Sequence, residues 1–439
     1  MGLFTFRGGA QVPHSKERTE KKPIVNCPPP EAVFLSMRQH IGAPAKVVVQ
    51  PGEEVLKGQV IGQAGGFVSA HIHSSVSGTV KKIHNMKVMG VDTTVVEISN
   101  DGNETWHESV KKIGDVADLT KEEIRKGLAE SGIVGMGGAG FPLHVKLSPP
   151  PEKVIDTFII NGAECEPYLT TDHRLMLEGT EGILLGARFV MKALGVDSCY
   201  IAVEDNKPDA IDALKNAVKG DNAFQVVSVR TKYPQGAEKQ LINAITKREV
   251  PSGGLPMDVG CVVSNIATVY AVGEYFEKGI PLIERVCTVT GSGVNEPVNL
   301  RIKNGTKLSH LISTAGGLSE DAVKVILGGP MMGNAVDSLD IASTKTTGGL
   351  LVLNEEDARI PEPTACMRCG RCSDVCPVFL QPAYISFYTL QGNLARAEKY
   401  HPLDCIECGS CSFICPAKRP LVHSIRVAKR QILENRKKS

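Results

Sequence analysis

Eight of the thirteen cysteines fall between Cys366 and Cys415, in two runs of one spacing. The first reads Cys366-Met-Arg-Cys369-Gly-Arg-Cys372-Ser-Asp-Val-Cys376-Pro377, and the second Cys405-Ile-Glu-Cys408-Gly-Ser-Cys411-Ser-Phe-Ile-Cys415-Pro416. Both fit C-x2-C-x2-C-x3-C-P, the spacing that binds [4Fe–4S] clusters. Three thiolates two residues apart sit on one side of a tightly turning backbone, where they reach three irons of one cubane. The fourth, three residues on and followed by Pro, points to the other cluster. The expected sets are therefore Cys366, Cys369, Cys372 and Cys415 for one cluster, and Cys405, Cys408, Cys411 and Cys376 for its partner. Zinc sites and disulfides are the competing uses, but zinc sites pair two C-x2-C hooks rather than four cysteines in such a run.

A second stretch with chemical potential is Ser131-Gly-Ile-Val-Gly-Met-Gly-Gly-Ala-Gly-Phe-Pro142, followed by Lys146. Five glycines within 132–140 let a backbone approach a ligand closely and aim N–H groups at phosphate. A glycine-rich turn without a ligand is an equally common use of such residues. The elements around it favour a site. Lys153–Ile160 reads as a buried strand ending in Asn161-Gly-Ala-Glu-Cys-Glu-Pro167. Asp172 is expected to cap one long amphipathic helix to about Leu194. Cys199–Val203 and Phe224–Val229 read as strands, with a helix from Pro208 to Val218 between them. This βαβαβ order implies a parallel sheet with right-handed crossovers, whose ligands sit at the carboxyl ends of the strands. The capping box Thr120-Lys-Glu-Glu123 opens a short helix before the glycine stretch. Tyr233–Lys239 and Val263–Thr268 open further helices.

Composition sets outer limits. A chain of 439 residues with 42% hydrophobic and 22% charged residues suits about three globular domains. A net charge of +1 without a basic, aromatic-interleaved stripe gives no case for nucleic acid. No apolar run approaches a membrane span, and the N-terminus lacks a signal pattern. Cys27, Cys165, Cys199, Cys261 and Cys287 are scattered and odd in number, which fits a reducing compartment better than a disulfide framework.

Several segments resemble known modules. Lys46–Gly62 and His73–Ile83, with Thr94–Ile98, resemble half of a biotinyl/lipoyl barrel sandwich. No lysine lies between Gly62 and Ser77 to carry a cofactor, and His71 and His73 read as packing residues. Val286–Pro330 resembles the β-grasp module called SLBB. Pro361 and Pro363 mark a linker, and Leu421–Ser439 reads as a basic amphipathic helix, solvated or touching a membrane surface or acidic partner. The expected fold is multidomain α/β and α+β, laid out as an N-terminal arm (1–30), a barrel-sandwich hybrid (31–112) and a Rossmann-like flavoprotein core (113–280). A β-grasp SLBB module (281–355), a tandem [4Fe–4S] ferredoxin-like domain (360–420) and the C-terminal helix (421–439) follow.

The loops of the core resemble those of the NADH-oxidising flavoprotein subunit of respiratory complex I, which carries R-G-x-G-G-A-G-F-P, N-x-x-E-x-E-P, Y-x-x-G-x-E and N-x-x-T. That resemblance implies an FMN site at Gly135, Gly137, Gly138, Ala139, Gly140 and Lys146, with Phe141 beside the nicotinamide nucleotide. It extends the site to Asn161, Glu164 and Glu166, to Tyr233, Gly236 and Glu238, and to Asn265 and Thr268. Glu238 would border the nicotinamide and is the expected catalytic residue. The chain departs from that pattern at Met136, Ala163, Ala237 and 251–258, which leaves the flavin motifs more intact than the nucleotide contacts.

Over its whole length the chain is more similar to RnfC, the C component of the Rnf electron transport complex, through Thr5-Phe-Arg-Gly-Gly9, Gln39–Ala45 and the module order. This resemblance implies a peripheral subunit on the cytoplasmic face of the cell membrane. It would move electrons between NAD(H), FMN and two [4Fe–4S] clusters in an ion-translocating ferredoxin:NAD+ oxidoreductase. The implied partners are a ferredoxin-type subunit and integral membrane subunits. A hydride carries two electrons and a cluster takes one, and a flavin converts between them. A cobalamin reductase of the propanediol-utilisation type and a flavin-free cluster relay remain as alternative readings.

Overall fold

The computed structural model describes residues 3–88 and 90–438, so Met1 and Gly2 of the expected arm, Met89 of the barrel sandwich and Ser439 of the tail lie outside the described residues. At its centre is a four-stranded sheet in the order Phe224–Val229, Cys199–Glu204, Thr157–Gly162, Cys261–Asn265. Every pairing in it is parallel. Crossover helices bury both faces, which explains its near-continuous apolar strands such as Phe158-Ile-Ile160. The loops after Gly162, Val229 and Asn265 therefore all emerge at the carboxyl edge.

The capping box forms as the sequence requires: Thr120 accepts from the Glu123 amide, and Glu123 accepts from the Thr120 amide at 2.7 Å, opening helix Lys121–Glu130. The expected single helix from Asp172 to Leu194 is instead two, Thr171–Glu178 and Thr180–Leu194. Thr170, not Asp172, holds the N-cap position, and Asp172 lies inside the first turn. Gly179 marks the break: a Cβ there would stand 2.8 Å from the Tyr270 ring, so the neighbouring helix Ile266–Lys278 approaches too closely for any side chain. The strand expected over 153–160 begins later, at Thr157, and runs to Gly162.

Before this core, a four-stranded and a three-stranded antiparallel sheet share one apolar centre of Val33, Leu35, Val55, Ile61, Ile72 and Ile98. After it, a six-stranded mixed sheet is built on Glu284–Thr290, Val298–Lys303, Ala322–Leu327 and Gly349–Asn354. The N-terminal arm is a tie between these parts. Ile24–Asn26 adds a parallel strand beside Val298–Lys303, Phe4 bridges Val229 and Ala10 bridges Tyr233. Gly8 and Gly9 of the Thr5–Gly9 motif meet the cysteine domain: Gly9 donates to the Val375 carbonyl at 2.9 Å, and a Cβ on Gly8 would stand 2.9 Å from the Cys376 carbonyl.

Helix Leu421–Lys438 buries Leu421, Ile425 and Ala428 against Leu380, Ile385 and the cysteines. Most of its apolar stripe is thus used within the cysteine domain, although Leu433 is exposed beside the basic residues of the outer face. Among the described residues no helix is long and apolar enough to cross a membrane.

Candidate functional site

The glycine stretch forms a closed loop at the carboxyl edge of the parallel sheet. The Gly135 amide donates to the carbonyl of the half-buried Phe141 at 2.9 Å, closing its base. Thr268 Oγ1 accepts from the Met136 amide at 3.0 Å. Asn265 caps helix Ile266–Lys278 by accepting from the Ala267 amide at 2.9 Å, while its Nδ2 donates to the buried Asp172 at 2.6 Å. A Cβ on Gly137 would fall 2.9 Å from Asn265 Cβ, so that glycine is needed for close approach.

The tip, Gly137, Gly138 and Ala139, is exposed. Among the described residues no protein acceptor receives the amides of Gly137, Gly138, Ala139 or Gly140. A Cβ on Gly138 would meet nothing within 4 Å. The buried Ser264 hydroxyl, one residue before Asn265, also lacks a partner. Successive unsatisfied N–H groups in a glycine turn make an anion-binding nest, and this turn fits the phosphate of a flavin nucleotide.

Beside the loop, Lys146 Nζ donates to Glu238 at 2.6 Å and to the Val263 carbonyl at 2.5 Å. Asn161 Nδ2 donates to the Gly236 carbonyl at 2.8 Å, and the Gly236 amide donates to Cys165 Sγ at 3.3 Å. The structure thus gathers the loop residues, Lys146, Glu238, Asn265 and Thr268 around one edge, with Asn161 and Gly236 bracing it.

Three of the expected cofactor-binding residues do other work. Glu164, in a left-handed conformation at φ 47°, accepts from the Asp172 amide at 2.7 Å and the His173 amide at 3.2 Å, so its carboxylate caps a helix. Glu166 accepts from the Met331 and Met332 amides at 2.7 and 3.0 Å and fastens the 329–332 loop. Burial raises its pKa, against those two hydrogen bonds. Tyr233 is buried, with its phenol against Glu166, Cys165 and Cys408; burial and those neighbours push its pKa up. Glu164 and Glu166 thus have structural roles that local sequence does not announce, and both amide bonds to Glu166 fall on Oε1. For Tyr233 the position is an interface one.

The two cysteine runs repeat one backbone. Arg368 and Glu407 are left-handed at φ 56° and 58°, Gly370 and Gly409 at 80° and 81°, and Phe379 and Lys418 at 56° and 52°. Cys376, Cys405, Cys408 and Cys411 line one cavity, walled by Leu380, Ile406, Val422 and Ile425. Burial pushes the Cys405 thiol up to about 11 and the Cys411 thiol up to about 12, and the neighbouring thiols add to the shift in both. Cys415 likewise acts on Cys372, while Cys366 and Cys369 are exposed. Four crowded sulfurs in an apolar wall favour a soft, thiophilic cationic group, whose charge draws the protons off. The donor set therefore fits an iron–sulfur cluster.

The inner set faces the flavoprotein core. Cys408 packs with Tyr233, Ala10 and Val12, and Gln240 Nε2 donates to the Pro377 carbonyl at 3.1 Å.

Four family models match consecutive parts of the chain: RnfC barrel sandwich hybrid domain over 4–103, Nuo51 FMN-binding domain over 128–274, SLBB domain over 286–335 and 4Fe-4S dicluster domain over 362–419. The C component of the proton-translocating ferredoxin:NAD(+) oxidoreductase complex of Clostridium ljungdahlii is 48% identical over 97% of this chain and 94% of its own length. The chain belongs to the RnfC family. The corresponding component of the Na(+)-translocating complex of Acetobacterium woodii is 46% identical over 99% of this chain and 98% of its own length. That of the ion-translocating oxidoreductase complex of Rhodobacter capsulatus is 42% identical over 98% and 84%. A crystal structure of an NAD+-reducing [NiFe]-hydrogenase shares the fold, with a TM-score of 0.52 at 17% identity over 72% of this chain and 63% of that one.

As a member of the RnfC family, the chain has FMN and [4Fe–4S] clusters as its cofactors. The FMN-binding domain argues against the flavin-free relay. Two contributors behind the loop, Arg285 and Lys345, carry no signal in the sequence. Neither sits in a glycine or cysteine motif, and Lys345 lies in the polar run Ser343-Thr-Lys-Thr-Thr347, where nothing marks burial.

Proposed function

We propose that this chain is the NAD(H)-oxidoreducing, peripheral subunit of a membrane-bound, ion-translocating ferredoxin:NAD+ oxidoreductase. It exchanges electrons between NAD(H), FMN and two [4Fe–4S] clusters. The observation that carries this reading is the packing of the inner cysteine set, through Cys408 and Tyr233, onto the core that bears the glycine loop. Bound FMN supplies the conversion between hydride and single-electron transfer. The chain's own residues do the rest. The amides of Gly137–Gly140, with Lys146, hold FMN and its phosphate, and Glu238 borders the nicotinamide. Cys376, Cys405, Cys408 and Cys411 hold the cluster nearer the flavin, while Cys366, Cys369, Cys372 and Cys415 hold the outer one. The exposed outer set faces a ferredoxin-type partner, and the complex places the chain beside integral membrane subunits on the cytoplasmic face.

The test is anaerobic purification followed by addition of NADH. Cluster absorbance is expected to bleach, with about eight irons per chain. Gly138→Trp, which projects into open space, is expected to remove flavin and bleaching while leaving iron unchanged. Bleaching that survives this change, or iron present without flavin in the unaltered protein, would sink the assignment. Co-purifying integral membrane proteins fit this reading; microcompartment shell proteins would point to the cobalamin reductase instead.

A further inference from the structure

Behind the glycine loop lie two buried cations from the chain after residue 280. Lys345 is 1% exposed, and its Nζ donates to the Gly132 and His71 carbonyls, both at 2.6 Å. Arg285, on strand Glu284–Thr290, is 7% exposed. Its two terminal nitrogens donate to the Met136 carbonyl at 3.0 Å and the Lys345 carbonyl at 2.9 Å. Lys345 forms no ion pair among the described residues. Burying an ammonium without a carboxylate is costly, so this arrangement calls for a compensating anion or a structural return.

Geometry supplies the structural return and leaves the anion to a ligand. The two cations grip carbonyls at the start and middle of the loop and draw them inward. The Ile41 amide grips the Gly140 carbonyl at 3.2 Å on the far side, and Thr346 packs on Gly140. With these carbonyls held by protein, the unsatisfied amides of Gly137, Gly138 and Ala139 lie at the exposed tip, and Gly140 at its buried base. The two basic side chains engage the loop through its carbonyls, whereas an anion would be received by its amides. Buried as they are, such charges act more strongly than they would across solvent.

We propose that Lys345 and Arg285 are positioning residues that make the glycine loop selective for the phosphate of FMN. The Gln39–Ile41 segment and the Lys345–Thr346 segment are then parts of the flavin site, although neither lies in the flavoprotein core. This inference rests on the flavin reading above and adds where its phosphate selectivity arises.

The experiment compares FMN with riboflavin, which lacks the phosphate, by quenching of flavin fluorescence on titration into flavin-stripped full-length protein. The unaltered protein is expected to bind FMN at least about tenfold more tightly than riboflavin. Lys345→Gln keeps a donor for the carbonyls but removes the charge, and Lys345→Met removes both. Each is expected to lose about tenfold in FMN affinity with riboflavin affinity unchanged. A merely structural role would weaken both ligands equally, and that result overturns the inference, as does an unchanged preference in either variant. Unaltered protein that binds both flavins equally overturns it without any variant. Unaltered protein that binds neither flavin overturns the functional reading itself.

Discussion

The glycine loop and the cysteine loops are both turns with unsatisfied polar groups, yet the protein completes them in different ways. The glycine loop is held at each turn by protein: Gly132 by Lys345, Met136 by Thr268 and Arg285, Gly140 by Ile41. Folding alone presents its amides. The cysteine loops have an equally defined backbone, seen in the repeated left-handed pairs Arg368/Glu407 and Gly370/Gly409. Their thiols, however, are only partly satisfied by protein, through the Leu380 amide on Cys376 and the Glu407 amide on Cys405, and after burial the neighbouring thiols raise the pKa of Cys376 and Cys411. That region is finished by its metal. The chain can therefore wait for its flavin, whereas it needs its metal to complete the cysteine domain.

Removing the iron is the largest test of this contrast. Chelation under reducing conditions is expected to abolish all cluster absorbance and to expose the 359–370 segment, already open to solvent, to proteolysis. FMN affinity should stay within about twofold of the loaded protein. Loss of FMN together with iron would show that the glycine loop is not self-supporting. A smaller effect separates the two cysteine sets. Cys408→Ser is expected to remove about half the iron and all NADH-dependent bleaching, because it strikes the set that faces Tyr233 and the core. Cys369→Ser should remove about half the iron while the remaining cluster still bleaches, since that cysteine is exposed at the outer side. Equal behaviour of the two variants would overturn the inner-to-outer order.

What is legible in the sequence follows the same division. Features fixed by local chemistry are readable: the Thr120–Glu123 capping box, the cysteine spacing and a parallel core sheet, whereas the stretch expected to open a helix at Val263 is first the fourth core strand, Cys261–Asn265, with the helix beginning at Ile266. Features fixed by distant contacts are not. The helix break at Gly179 depends on Tyr270, far away in sequence but against it in space. Glu164 and Glu166 match a motif, but their carboxylates turn to amides of Asp172 and Met331. The arm reads as polar and extended, and only the fold shows that Gly8 and Gly9 meet Cys376 and Val375. A lysine such as Lys345 is ordinarily a surface residue, so its burial behind the loop is invisible without tertiary structure.

The smallest expected effect concerns the energetic side of a preformed loop. Burial lowers the Lys345 pKa to about 7, whereas in the unfolded chain it is near the ordinary lysine value of about 10.4. Between those values the unfolded state binds more protons than the folded one, so stability rises with pH. The histidines that face Lys345 do not reverse this, and the buried Asp172 beside Arg285, raised to about 7 by burial, contributes in the opposite direction but equally in Lys345→Met. His40, His71, His73 and His144 have their pKa values lowered by burial and are already neutral at pH 7, and Arg285 stays charged. Glu130, the carboxylate that acts on His71, lies on the same side. In flavin-free protein, denaturant unfolding should therefore show a gain of about 1–2 kcal/mol between pH 7 and 8.5 from this group. The gain should vanish in Lys345→Met. It should also shrink when FMN is bound, because the phosphate favours the charged ammonium and moves its titration upward. A gain that persists in Lys345→Met would place the pH dependence elsewhere. The glycine loop would then be preformed without the strain of an uncompensated buried charge, and the contrast with the metal-dependent cysteine loops would rest on hydrogen bonding alone.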